Sequence, residues 1–369
     1  MHISWFRPEP RPTGAAVDGI GHLIARLAGQ HDIRVVGPAA AHDELWRHRR
    51  GRTDLAVYEL TGSPGDAYMW PYLVRLPGLV LVLGRQAVSG HRSQLVRQGR
   101  REDADRERDF LRDAPEGALA IPLACARLVA VPDGLAADSL TEPSSSPVRT
   151  FTPAMERPAL ARQPRTHALR VGLVAPAEAT ALMAARAVER ARAAGSPVSL
   201  VVSDDAEAVL AQADVLASVA WPPPGGVTGD VLAAQALGLP AIVMESPDTA
   251  SLPCLDPQTW LPRDTGPGAP TPVAISLDPR DQEHSLVLAI RRLAGDAALA
   301  AALGEAGAAR WARVHEPSVA AAGFAPILEA AAAAPPPALP ANWPAHFRAD
   351  ASGTARRILA DAGLHVDIL

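Results

Sequence analysis

"ADVLASVAWPPPGGVTGDVLAAQALGLPAIV", residues 213–243, is the stretch whose reading decides the fold. DVLASVAW and PAIVMES are short, nearly unbroken aliphatic runs, the pattern of strands buried on both faces. Between them, three prolines and two glycines open into an alanine-rich helix, which Gly238 stops and Pro240 follows. Strand, loop, helix and strand in that order form one unit of a parallel sheet with helices on both faces.

The same alternation extends outward in both directions. LRVGLVA and PVSLVVS are strands, AEATALMAARAVERARAAG and DAEAVLAQA helices, and SLVLAIRRLAGDAALAAALGEAGAARWARV supplies two closing helices. In the first half HISWF, DIRVVG, DLAVYEL, GLVLVL and ACARLVAVPDG read as strands. The helix VDGIGHLIARLAGQ carries Ile20, Leu23, Ile24 and Leu27 on one face, and DAYMWPYLVRL is a helix with a proline near its middle. RQGRREDADRERDFLRD reads as a solvated helical charge run. Between residues 139 and 167 the composition turns to Pro, Ser and Arg, which buries little apolar surface and reads as a linker. The expected organisation is therefore a first domain over 1–138, the linker over 139–167, a second domain over 168–330, and a Pro-rich bridge and tail over 331–369. The tail includes a helical pattern over 352–364, expected to pack on the first domain.

A length of 369 residues suits two domains, and 48% hydrophobic with 20% charged residues suits sizeable cores. A net charge of -5 gives no reason to expect a nucleic-acid partner. All 35 basic residues are arginine, so any anion site must use guanidinium or backbone N–H groups. Cys125 and Cys254 are isolated and expected as free thiols in a reducing compartment. No apolar run reaches the roughly 18 residues of a membrane span, and the N-terminus lacks a signal-peptide pattern. A cytoplasmic location is expected.

Several of these stretches resemble GT-B glycosyltransferases of family 4. PEPRPTGAAVDGIGHLIARL is similar to their first loop and helix. YELTGSPGDAYMWPYLVRLPGLVLVL is similar to the segment preceding a buried strand in bacterial members. Residues 213–243 resemble their donor-site stretch, and LGEAGAARW a recurrent phrase of their closing helices. The resemblance implies two Rossmann-like domains facing across a cleft, with a tail helix. It also implies transfer of a sugar from a nucleotide-sugar donor to a hydroxyl acceptor with retention. No metal or cofactor is expected, the nucleotide-sugar being a substrate.

Such chemistry has to stabilise a diphosphate, by positive charge or by N–H groups at a helix N-terminus. The family's basic pair after the first strand of the second domain has no counterpart in residues 175–180, and its two glutamates fall on Gly225 or Gly226 and on Ala233. Donor-side candidates are therefore Gly14, Gly225, Gly226, Val227 and Thr228. Acceptor-side candidates are Asp66, Arg85 and His91, and Arg7, Arg11 and Arg85 are the arginines placed to compensate. The rival expectation is a catalytically inactive GT-B protein that binds a sugar or nucleotide, or partners an active transferase.

Overall fold

The computed structural model describes residues 1–9, 18–84, 87–112, 119–132, 148–164, 167–221, 227–246, 249–263, 269–348 and 362–363. The first sheet is built from β1 (His2–Phe6), β2 (Asp32–Val36), β3 (Leu55–Leu60), β4 (Leu79–Val82), β5 (Leu128–Pro132) and β6 (Val148–Phe151). Its helices are α1 (Gly19–Leu27), α2 (Ala41–Arg49), α3 (Met69–Arg75), α4 (Ala87–Arg97), α5 (Arg101–Arg112) and α6 (Ala120–Cys125). The second sheet comprises β7 (Leu169–Val174), β8 (Val198–Ser203), β9 (Val215–Ser218), β10 (Ala241–Met244), β11 (Cys254–Leu255) and β12 (Ala274–Leu277). With it run α7 (Glu178–Ala193), α8 (Ala206–Gln212), α9 (Gly229–Ala236), α10 (Gln282–Gly295) and α11 (Ala297–Val314). α12 (Pro317–Ala333) and α13 (Ala345–Arg348) follow.

Both sheets have six strands, in the orders β2-β1-β3-β4-β5-β6 and β11-β12-β10-β9-β7-β8, and every pairing within them is parallel. Burial explains this: β3, β4, β10 and β12, two of them wholly aliphatic, are buried at every residue, which only a sheet covered on both faces allows. α1 buries the expected Ile20, Leu23, Ile24 and Leu27, and its N-cap Asp18 accepts the Gly21 N–H.

Gly238 ends α9 at φ +70°, a left-handed position suited to glycine. α11 lies directly on that turn, because a Cβ on Gly304 would meet the Gly238 carbonyl oxygen at 2.2 Å. Replacing Gly304 with alanine is therefore expected to cost about 1–3 kcal/mol through backbone displacement. Urea unfolding checks this; an unchanged midpoint would show that the two helices separate freely.

Two features depart from the sequence-based expectation. The stretch read as a linker supplies β6, the edge strand of the first sheet, and buries Phe151 in one core and Met155 in another. The Met155 N–H then donates to the His315 carbonyl at 2.8 Å, and the Trp311 indole N–H donates to the Met155 carbonyl at 2.8 Å. A few well-spaced apolar residues thus anchor a segment whose overall composition is polar.

The second departure is α12. Most of this helix falls within the range assigned to the second domain, yet it packs on the first sheet. Ala320, Phe324, Ile327, Leu328 and Ala331 join the core formed by β1, β3, β4 and α1. The chain then stays there, with Trp343 and Phe347 set against Phe110 and Trp70. The helical pattern expected over 352–364 lies outside the described residues, apart from positions 362 and 363. Among the described residues no helix is long and apolar enough to cross a membrane.

Candidate functional site

Parallel strands bring all carboxyl ends of a sheet to one edge, and ligands of open α/β sheets bind there, where the strand order reverses. In the second sheet the reversal lies between β7 and β9. At the end of β9, the Ser218 hydroxyl lies 3.1 Å from that of Thr228. Thr228 is the N-cap of α9, with extended backbone (φ -69°, ψ 154°), but its side chain caps no N–H of the helix. Asp230 in the first turn accepts the Val231 N–H at 2.9 Å. Burial pushes its carboxyl above the ordinary range, against hydrogen bonds from Thr228, Val231 and Ser218 that favour ionisation. Val227 and Thr228 are half-buried. Ala233 is completely buried on α9, inside a core cluster.

In the first sheet the reversal lies between β1 and β3. Arg7 leaves the end of β1 there and is 7% exposed. Its Nη1 and Nη2 donate to the two carboxylate oxygens of Asp18 at 3.0 and 2.8 Å, a bidentate pair. Its Nε lies 2.7 Å from Glu59 Oε1, and that same oxygen accepts the Trp5 indole N–H at 2.7 Å. Burial raises the Glu59 carboxyl to about 7, although Arg7 and Trp5 both pull it down. The guanidinium thus ties the N-cap of α1 to β3.

The remaining first-sheet candidates have structural partners. Asp66 is 2% exposed. It accepts the Thr61 and Gly62 N–H groups at 2.6 Å each, and the Thr61 hydroxyl at 3.0 Å. His91 stacks on Trp70 with ring centroids 4.3 Å apart, and its Nε2 is 3.1 Å from Glu107 Oε1. The same oxygen is 2.8 Å from His346 Nε2 of α13. Burial pushes the Glu107 carboxyl up, but the hydrogen bonds from His346 and His91 outweigh it and hold the group below its ordinary value. Glu107 belongs to the run read as a solvated charge face, yet it is completely buried.

No family model matches the sequence, and no curated protein matches it. Solved structures do. HepE of Anabaena, determined in complex with UDP, superposes over 89% of this chain and 100% of its own, with a TM-score of 0.55 at 11% identity. The chain has the GT-B fold. Two further structures cover 89% of the chain with lower scores. The kitacinnamycin glycotransferase reaches 0.49 at 17% identity over 99% of its own length, and WaaG, a glycosyltransferase of lipopolysaccharide biosynthesis, 0.48 at 11% over 98%.

Within this GT-B chain, Thr228 and Val227 lie at the carboxyl edge of the second sheet, between β9 and α9. Gly14, Arg85, Gly225 and Gly226 lie outside the described residues, as does Arg11. Of the compensating arginines only Arg7 is described, and its guanidinium is spent on Asp18 and Glu59 rather than turned out to a ligand. Among the described residues no group of three or more His, Cys, Asp or Glu side chains is placed to hold a metal ion.

Sequence reasoning missed the polar row beyond β10, β11 and β12. There Glu245, Asp256 and Asp278 each follow directly on the last residue of a strand. Arg263 pairs with Glu245, and Arg280 with Asp278 at 2.7 Å. The available signal was local: AIVM and AISL, two apolar runs of the GT-B second domain, are each followed at once by an acid.

Proposed function

We propose that the protein transfers a sugar from a nucleotide-sugar donor to a hydroxyl acceptor, with the donor diphosphate at the N-terminus of α9. The observation that carries the reading is the Ser218–Thr228 pair, which opens α9 at the strand-order reversal of a GT-B second domain. Two features support it: N–H groups at a helix N-terminus suit phosphate oxygens, and a structure sharing the fold was determined with UDP. Retention and independence from metal follow from the family resemblance.

The rate is expected to be low. Ala233 replaces a ribose-binding carboxylate, and Arg7 is committed elsewhere. A hydrogen bond to a charged group contributes about 1.5–3 kcal/mol, whereas a helix dipole at an exposed site gives only about 0.3–1 kcal/mol. The buried alanine at 233 also favours the second reading, a non-catalytic GT-B protein that binds a nucleotide or partners an active transferase.

Calorimetry with a panel of nucleoside diphosphates tests the site. The expected result is a dissociation constant in the high-micromolar range or weaker, lost in Thr228→Asp. Low-micromolar binding would show that the donor site is intact, and binding indifferent to Thr228→Asp would place the nucleotide elsewhere. Release of nucleoside diphosphate from nucleotide-sugars in the presence of acceptors then separates slow transfer from binding alone.

A further inference from the structure

Beyond the ends of β10, β11 and β12 lies a cleft of about 300 Å³, lined by Glu245, Asp256, Arg263, Asp278, Arg280 and Ser285 among others. Its β10 wall adjoins β9, since Val243 of β10 pairs with Ser218 of β9. We propose that this cleft binds a neutral saccharide, as a site separate from the one that takes the nucleotide.

Charge is the first reason. Three carboxylates face two guanidiniums, and each guanidinium is already paired, Arg263 with Glu245 and Arg280 with Asp278. An added anion would meet excess negative charge, and among the described residues no group is placed to hold a metal ion. A sugar hydroxyl instead donates to a carboxylate and accepts from a guanidinium at once, so neighbouring hydroxyls match a paired arginine and acid without breaking the pair.

Ser285 is the second, independent reason. It is 0% exposed, and its hydroxyl has no hydrogen-bond partner in the protein. Such a group is normally satisfied, and leaving it unpaired is unfavourable. A ligand hydroxyl in the cleft supplies the partner.

The acceptors are also held in place. Asp278 receives the Arg280 backbone N–H at 2.8 Å and its Nε at 3.0 Å, and Asp256 receives the Gln258 N–H at 2.7 Å. Arg280 holds the Asp278 carboxyl down at about 2, so it remains an acceptor at every ordinary pH. Drug-sized pockets are mostly apolar with a few polar groups. This wall reverses that balance, as a polyhydroxylated ligand requires.

Saturation-transfer NMR of the full chain with glucose, galactose, mannose and N-acetylglucosamine tests the inference. At least one sugar is expected to give a signal that Asp278→Ala/Arg280→Ala removes and Ser285→Ala weakens about tenfold, the effect of about 1.4 kcal/mol. Asp278 and Arg280 are 23% and 88% exposed at their side chains, so the double variant is expected to fold, and circular dichroism verifies it. Nucleoside diphosphate binding, measured in parallel, should be unchanged in that variant. The inference is overturned if no sugar binds, if binding survives the double variant, or if inorganic phosphate displaces the sugar. The nucleotide measurement stands apart, so the proposed transfer can fail while this site holds, and the reverse.

Discussion

Arg7→Met is expected to destabilise the protein by about 3–5 kcal/mol at pH 8, the cost of removing one partner from a buried ion pair. The Arg7, Asp18 and Glu59 side chains are 8%, 14% and 2% exposed, so the two carboxylates left behind gain little from water. The effect should shrink towards pH 5. In the wild type the Glu59 carboxyl lies at about 7, above its ordinary 4.5, so the folded state binds more protons than the unfolded state between those values. Stability from this group is therefore fully present below pH 4.5 and declines as pH rises through 7. Without the guanidinium the folded carboxyl rises further, which extends the window upward and widens the gap from wild type at pH 8. At pH 5 Glu59 is neutral in both folded proteins, and only Asp18 and the lost packing remain to be counted. Urea titrations at pH 5 and pH 8 check this. Equal losses at the two values would mean that Glu59 is already protonated beside Arg7 and the pair is not ionic.

Phe324→Ala is expected to lose about 3–5 kcal/mol, the range for deleting a buried aromatic ring. Phe324 is 1% exposed and lies 6.0 Å from the Trp5 ring and 5.3 Å, edge to face, from Phe151. Those two rings stand on the first and last strands of the first sheet in chain order, and α12 is the element that covers both. The loss should fall mainly on the first sheet, because the second sheet's core contains no residue of α12. Urea unfolding followed by far-UV circular dichroism measures the total. A change below about 1 kcal/mol would class Phe324 with ordinary surface positions and show that α12 is not a structural part of the first domain.

Some of the chain was legible because its signals are local. The aliphatic runs LVLV and AIVM marked a central strand in each sheet, and Gly238 with Pro240 marked the end of α9. The stretch over 213–243 also showed the order β9, α9, β10. The charge run over 97–113 shows the limit of such reading. Its helix forms as expected, but Glu107 faces inward, a placement dictated by His91 and by His346, which lies 239 positions away.

By itself, then, the sequence determined two parallel α/β units, the stop of α9 at Gly238, and that residues 225, 226 and 233 carry no charge. Periodicity, turn residues and residue identity act within a few positions and need no knowledge of the rest of the chain. Only the tertiary structure decided that VRTF forms an edge strand, that α12 crosses to the first sheet, and that Arg7 is bound to Asp18 and Glu59. It alone also gathered Glu245, Asp256, Arg263, Asp278, Arg280 and Ser285 around one cleft. These residues are scattered over 41 positions of sequence. They meet because parallel pairing brings the carboxyl ends of successive strands side by side, a contact that local pattern does not encode.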